Sequence, residues 1–357
     1  MPKPRLPSES PEEEVNPTMK KIHKLALVLL AAFALFAVDT TPIDAQEAAA
    51  ARTISLATLA PPGSTWARIF DAWNRELRRR SDRSLQLRIY GGGVQGDESE
   101  VVRKIRSGRL DAGAVTAVGL AQIHRPALVF QMPGILQNYQ QLDRAREALQ
   151  TDMDAGFTSS GFHLLGWADV GQARIFSTQP TVSPADFAQR HPFVWRDDLV
   201  VPVLYQIVRT NPVPLQLPEV LGAIQTGRVD TAITPPVACL ALQWCSRLTH
   251  MADMPMSIVL GGTVMGQRQW EALTEEQRTI MTETATQFHQ LARRNLRRDE
   301  EAALRTIAEH GTTVHPVSAA QRAEWVNVAR QVRGRLAGQV ADQAPVSYTH
   351  LTLPTKA

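Results

Sequence analysis

A twelve-residue pattern occurs twice, and it constrains this chain more than any other feature. Glu100-Val101-Val102-Arg103-Lys104-Ile105-Arg106-Ser107-Gly108-Arg109-Leu110-Asp111 is followed, 119 positions on, by Glu219-Val220-Leu221-Gly222-Ala223-Ile224-Gln225-Thr226-Gly227-Arg228-Val229-Asp230. Glu, Val, Ile, Gly, Arg and Asp recur at matching places. Apolar residues at i, i+1 and i+5 lie near one helical face, and Gly is the usual left-handed residue that ends a helix. Short apolar runs follow, Ala112–Ala117 and Thr231–Pro235. Each copy therefore reads as helix, glycine stop, buried strand. Two separated copies of one α/β unit predict two similar lobes with a cleft between them. Open α/β sheets bind ligands at the C-terminal ends of their strands, so the expected site lies in that cleft.

A chain of 357 residues has room for about two domains. Met19-Lys20-Lys21-Ile22-His23-Lys24 is a basic segment, and Leu25–Val38 is an unbroken apolar run of signal-peptide length, short for a membrane span. Residues 19–50 are thus read as signal peptide and leader, with cleavage at Ala45 or within Ala48–Ala51. Residues 1–18 are polar and out of place ahead of a signal peptide, which points to Met19 as the start. No other stretch is long and apolar enough to span a bilayer, so an exported, periplasmic, soluble protein is expected. Pro345–Ala357 changes character abruptly and reads as a non-domain tail.

The remaining chain alternates strands and helices. Strands are expected at Thr53–Leu59, Leu85–Tyr90, Phe162–Trp167 and, separately, about Ala173–Ser177; helices at Trp66–Arg80, Tyr139–Ser159 and Val237–Arg247. Thr274-Glu275-Glu276-Gln277 is a capping box that opens a long helix to about His310. Lobe I is drawn as residues 52–173 plus 263–310, and lobe II as 174–262 plus 311–341. Cys239 and Cys245 fall in a stretch that reads as helical. Six helical steps rise about 9 Å, too far for a disulfide, so two buried thiols are expected.

Several function classes are disfavoured. The basic run Arg293-Arg294-Asn295-Leu296-Arg297-Arg298 is followed at once by Asp299-Glu300-Glu301, the pattern of a solvated helix face rather than a nucleic-acid patch. Gly91-Gly92-Gly93-Val94-Gln95-Gly96 lacks the Gly-Lys-Ser/Thr ending of a phosphate loop. There is no Gly-x-Ser-x-Gly elbow and no His-Glu-x-x-His, so an exported hydrolase ranks low. No cofactor and no metal site are expected.

Four stretches resemble the extracytoplasmic solute receptors of tripartite ATP-independent periplasmic (TRAP) transporters, DctP-type. They are Ile54–Gly63, Gly91–Glu98, Asn211–Leu221 and Leu221–Asp230, and the resemblance runs from about Thr53 to Val340. It implies a two-lobed α/β receptor with a long C-terminal helix. Such a receptor closes on a small organic molecule, an organic acid in many members, and delivers it to the permease subunits of a secondary transporter. A receptor for an ATP-driven importer or a sensor has the same physics and stays open.

The resemblance also bears on the site. The family's carboxylate-pairing arginine falls on Val194, with Arg196 two residues on, on the same strand face. A second family arginine falls on Ala173, beside Arg174. The family's Asn before Pro is Thr234 here, ahead of Pro235. Trp195, Trp244 and Leu217 make this part of the cleft aromatic and apolar, so the ligand is an organic acid of rather apolar character or another organic solute. Ser64 and Trp66, after the first strand, and Thr116 and Ala117, at the end of the first repeated strand, complete the candidate set.

Overall fold

The structure is a computed structural model and describes residues 51–341. The expectations for residues 1–50 and 345–357 lie outside the described residues.

The first half of the fold follows from alternating sequence. β1 (Arg52–Thr58), α1 (Thr65–Arg80), β2 (Leu85–Tyr90), α2 (Glu98–Arg106) and β3 (Ala112–Thr116) come in order, and β1 pairs in parallel with both β2 and β3. Adjacent residues of β1 serve opposite faces, as the strand period of two requires. Ile54 and Leu56 pack with Trp73 and Phe288, whereas Ala57 packs with Val101 and Ile105. α1 begins where Ser64 Oγ accepts from Ala67 N at 3.3 Å, and it buries Ile69, Phe70, Trp73 and Leu77. After α3 (Ala117–Ala121) and a 3₁₀ turn at Arg125–Gln131, α4 (Tyr139–Ser159) covers the second face of the sheet.

β4 (Phe162–Ser177) joins the two halves. Phe162–Trp167 and Ala173–Ser177, expected as two strands, are one strand of 16 residues. Its first part, Phe162 to Ala173, pairs with β9, and its last residues, Arg174 to Ser177, pair with β7. Register shifts at Leu164/Gly166 and Asp169/Gly171 bend it without breaking it. Gly171 sits at φ 141°, and a Cβ there would meet Pro235 at 2.7 Å, so only glycine fits the second bend.

The second half continues with α5 (Pro184–Ala188), β5 (Phe193–Trp195), α6 (Val201–Val208), β6 (Val213–Leu215), α7 (Leu217–Gln225), β7 (Thr231–Thr234) and α8 (Pro236–Ala241). A 3₁₀ turn at Trp244–Ser246 leads to β8 (His250–Ala252), β9 (Ser257–Gly266) and α9 (Gln267–Glu271). α10 (Glu275–Glu309), β10 (Thr313–His315) and α11 (Ala319–Ala341) close the described chain. Among the described residues the main sheet runs β10-β8-β4-β9-β3-β1-β2, with β7 also on β4; β5 and β6 form a separate parallel pair.

The repeated stretches adopt the same structure for the same reasons. α2 and α7 stop before Gly108 and Gly227, at φ 76° and 72°. The recurring aspartates then clamp a neighbouring backbone. Asp111 N donates to Ser55 O at 3.1 Å while its Oδ2 accepts from Ser55 N at 2.8 Å. Asp230 N donates to His191 O at 3.2 Å while its Oδ1 accepts from His191 N at 2.8 Å.

α10 is a brace. Its 35 residues extend about 52 Å. Met281, Ala285, Phe288 and Leu296 enter the core beneath β1 and α1, while Ile307 enters the core around Phe176, Val220 and Trp244. One rigid element therefore belongs to both halves.

The cysteine expectation is corrected. Cys239 and Cys245 form a disulfide, with Cα atoms 5.3 Å apart. The helical rise does not apply, because α8 ends at Ala241 and Gln243 turns left-handed at φ 62°, folding the chain back.

Candidate functional site

The bend of β4 floors a cavity of about 190 Å³. On one side it is lined by the C-terminal ends of the parallel strands β1 and β3, at Thr58 and Thr116, by Trp66 and Phe70 of α1, and by Phe288 and His289 of α10. On the other side stand Phe193, Val194 and Trp195 of β5, Tyr205 of α6, Leu217 of α7, Thr234 and Pro235 after β7, and Trp244. Phe193 centres an aromatic group, its ring 5.9 Å from Trp195 and 5.6 Å from Trp244, both edge-on.

Of the eleven sequence candidates, the structure brings Trp66, Thr116, Trp195, Leu217, Thr234, Pro235 and Trp244 together on this cavity. Four stand off it. Ser64 caps α1. Ala117 is the first, fully buried residue of α3. Arg174 points away from Ala173 on β4 and pairs with Glu300 of α10 at 3.8 Å. Arg196 lies past the end of β5, exposed, 3.4 Å from Glu219. The strand alternation that would have turned Arg196 inward stops at Trp195. Phe193, Tyr205, Phe288, Asp169 and His289 were not among the candidates. No local motif marks them, because long-range packing delivers each one to the cavity.

Every acid at the cavity is already engaged. Glu98 is 2% exposed; its Oε1 accepts from Thr116 N at 2.7 Å, and its Oε2 from Thr116 Oγ1 and Gly119 N, both at 2.8 Å. It thereby fills the N-terminus of α3. Burial pushes its carboxyl up to about 7, against the pull of these donors. Asp97, whose carboxyl burial also raises, accepts from Glu98 N at 2.9 Å and from Leu217 N at 3.2 Å. The N-termini of the two repeated helices thus meet at the rim. Asp198 Oδ1 accepts from Val200 N at 2.7 Å and Val201 N at 3.0 Å. Asp169 is held by Arg146 at 2.6 Å and Arg297 at 2.7 Å. His289 is neutral: burial drives it down to about 4, Nδ1 donates to Ala285 O at 2.6 Å, and Nε2 accepts from Thr263 Oγ1 at 2.9 Å.

The raised Glu98 carboxyl has a measurable consequence. Its folded value of about 7 lies above the unfolded 4.5, so the folded chain holds the proton more tightly between the two. The group's contribution to stability is present below 4.5, falls as pH rises to about 7, and stays lost above it. Urea unfolding from pH 4.5 to 8 is expected to show this loss, at most about 3 kcal/mol. Glu98→Gln is expected to flatten the profile in that window, and parallel profiles for the two proteins would exclude it.

Two halves on one bent strand, a shared cavity at the bend and a helix that spans both define a two-lobed solute-binding receptor. The chain belongs to the bacterial extracellular solute-binding protein family 7 (DctP), whose model matches residues 56–338. The structure is similar to the sugar acid binding protein DctPAm of Advenella mimigardefordensis in complex with galactonate, with a TM-score of 0.80, 15% identity, and coverage of 85% of this chain and 98% of that one. It is also similar to DctP7, a Bordetella pertussis extracytoplasmic solute receptor binding pyroglutamic acid, with a TM-score of 0.77, 15% identity and coverage of 84% and 98%. A solute-binding protein of Chromohalobacter salexigens is 20% identical over 259 residues, 72% of this chain and 77% of its own length. Among the described residues no helix is long and apolar enough to cross a membrane.

Proposed function

We propose that this protein is the exported, periplasmic receptor of a TRAP-type transporter. It takes a small organic solute into the cavity at the bend of β4 and hands it to membrane permease subunits. The observation that carries this reading is the cavity itself, which is lined from both halves by aromatic side chains. A solute that touches both halves binds a closed form better than an open one and shifts the equilibrium toward it. Lobes of residues 52–173 with 263–310 and 174–262 with 311–341 would move about β4 and β9, which carry the chain between them, while α10 braces the pair. Transport is then driven by an ion gradient across the membrane. The relatives crystallised with galactonate and pyroglutamic acid make organic acids a class to test here, alongside uncharged organic compounds.

Thermal unfolding of the purified chain against such compounds tests the reading. A bound solute is expected to raise the melting temperature in a concentration-dependent way, by about 2.7 kcal/mol of added stability at a hundredfold excess over its dissociation constant. The tryptophan fluorescence should change with it. Stabilisation that leaves Trp66, Trp195 and Trp244 unperturbed would place binding elsewhere and contradict the proposal.

A further inference from the structure

We infer that the solute is gripped by an uncharged, apolar body bearing a neutral polar group, and that a carboxylate on it weakens binding. This rests on the receptor reading above and concerns the same cavity.

Neither Arg nor Lys lines the cavity among the described residues. The arginines behind it face acids of the protein: Arg146 and Arg297 pair with Asp169 at 2.6 and 2.7 Å, and Arg174, off the lining, lies 3.8 Å from Glu300 without a hydrogen bond between them. The one histidine in the lining is neutral, its two nitrogens engaged by Ala285 and Thr263. Helix N-termini are the other common anion sites; that of α1 is capped by the Ser64 hydroxyl, and three more are occupied by the protein's own carboxylates. Glu98 fills that of α3, Asp97 reaches that of α7, and Asp198 caps α6. α8 opens with Pro235 and Pro236, which have no N–H to offer. An anion entering here would shed its water and find no counter-charge.

What the cavity does offer is neutral. Of the buried atoms on lining residues that lack a hydrogen-bond partner, Asp169 Oδ1 is ion-paired with Arg146 at 2.6 Å, which leaves Trp195 Nε1 and Gln131 Oε1. The Asp97 carboxylate feels the Trp195 indole N–H, but the two do not reach hydrogen-bonding geometry. One orphan donor and one orphan acceptor suit a solute that both accepts and donates, such as an amide or an alcohol. The aromatic group of Phe193, Trp195 and Trp244 suits its apolar body.

Matched compounds at pH 7.5 test this: phenylacetate, 2-phenylacetamide and phenethylamine, with indole-3-acetate, indole-3-acetamide and tryptamine as a second scaffold, read by calorimetric titration. The amide is expected to bind at least tenfold more tightly than its carboxylate. A carboxylate that equals or beats its amide overturns the inference and leaves the receptor reading standing. An amine that beats its amide overturns the neutral-group assignment. Silence from both scaffolds, and from galactonate and succinate added to the panel, counts against the receptor reading itself. Ala173→Arg, which sets a cation on the cavity lining, should reverse the preference toward the carboxylate, with circular dichroism confirming the fold. The wild-type comparison decides the matter should that variant not fold.

Discussion

Asp169→Ala is expected to lower stability by about 3–5 kcal/mol, the range for stripping one partner from a buried ion pair. Asp169 is fully buried, and it neutralises Arg146, whose side chain is only 4% exposed. The same carboxylate takes Arg297 Nε at 2.7 Å, and Arg297 turns its other two nitrogens to Asp143, each at 2.7 Å. Alanine would leave Arg146 charged and buried beside the bend of β4, with only the Ala168 carbonyl at 3.1 Å and the half-exposed Asp143 at 3.8 Å to face it. In thermal unfolding the loss corresponds to a drop of roughly 6–20 °C for a chain of this size. Asp143→Ala provides the contrast. Asp143 is 46% exposed, and a partly solvated pair contributes about 1 kcal/mol or less. Replacing the buried pair together, Asp169→Leu with Arg146→Met, should recover most of the loss, because the cost lies in the orphaned charge. Equal effects at Asp143 and Asp169 would show that burial does not govern this network.

The second large effect concerns the solute. Trp66 and Trp195 stand on opposite sides of the cavity, one on α1 and the other on β5. Trp66→Ala and Trp195→Ala are each expected to weaken the best-binding compound at least tenfold, about 1.4 kcal/mol. Combined, they should weaken it a hundredfold or more, because a solute held from both sides loses both grips. Both side chains are partly solvated, so the folded state should tolerate the change better than at a core tryptophan such as Trp73, which is 1% exposed. Titration calorimetry on the two single variants and the double variant measures the loss. A solute insensitive to one of the two residues would be held by one half alone, and closure would have no energetic basis.

Much of this architecture is legible in the sequence because its determinants are local. The glycines at 108 and 227 need a left-handed backbone, and the aspartates at 111 and 230 need a neighbouring strand to clamp; the structure supplies both. Thr274 and Gln277 announce α10, and the two cap each other at 3.1 and 3.2 Å. Trp66, Thr116, Trp195 and Thr234 reach the cavity because each follows or ends a strand, where open sheets place their ligands. What was hidden depends on bends and distance. The fold-back at Gln243 cannot be read from an apolar helical pattern, and it alone lets Cys239 meet Cys245. The continuity of β4 through its two bulges is likewise a property of its pairing with β9. Phe288 and His289 sit in the middle of a long amphipathic helix, indistinguishable by sequence from other core positions. Arg196 shows the converse, a candidate placed by strand periodicity on a strand that ends one residue too soon.

A crystal structure of the chain with its best-binding compound tests the central claim most directly. Solute density between Trp66 and Trp195, touching residues of both halves over the bend of β4, is the expected result. Density at any surface site, with the cavity holding only water, would contradict it.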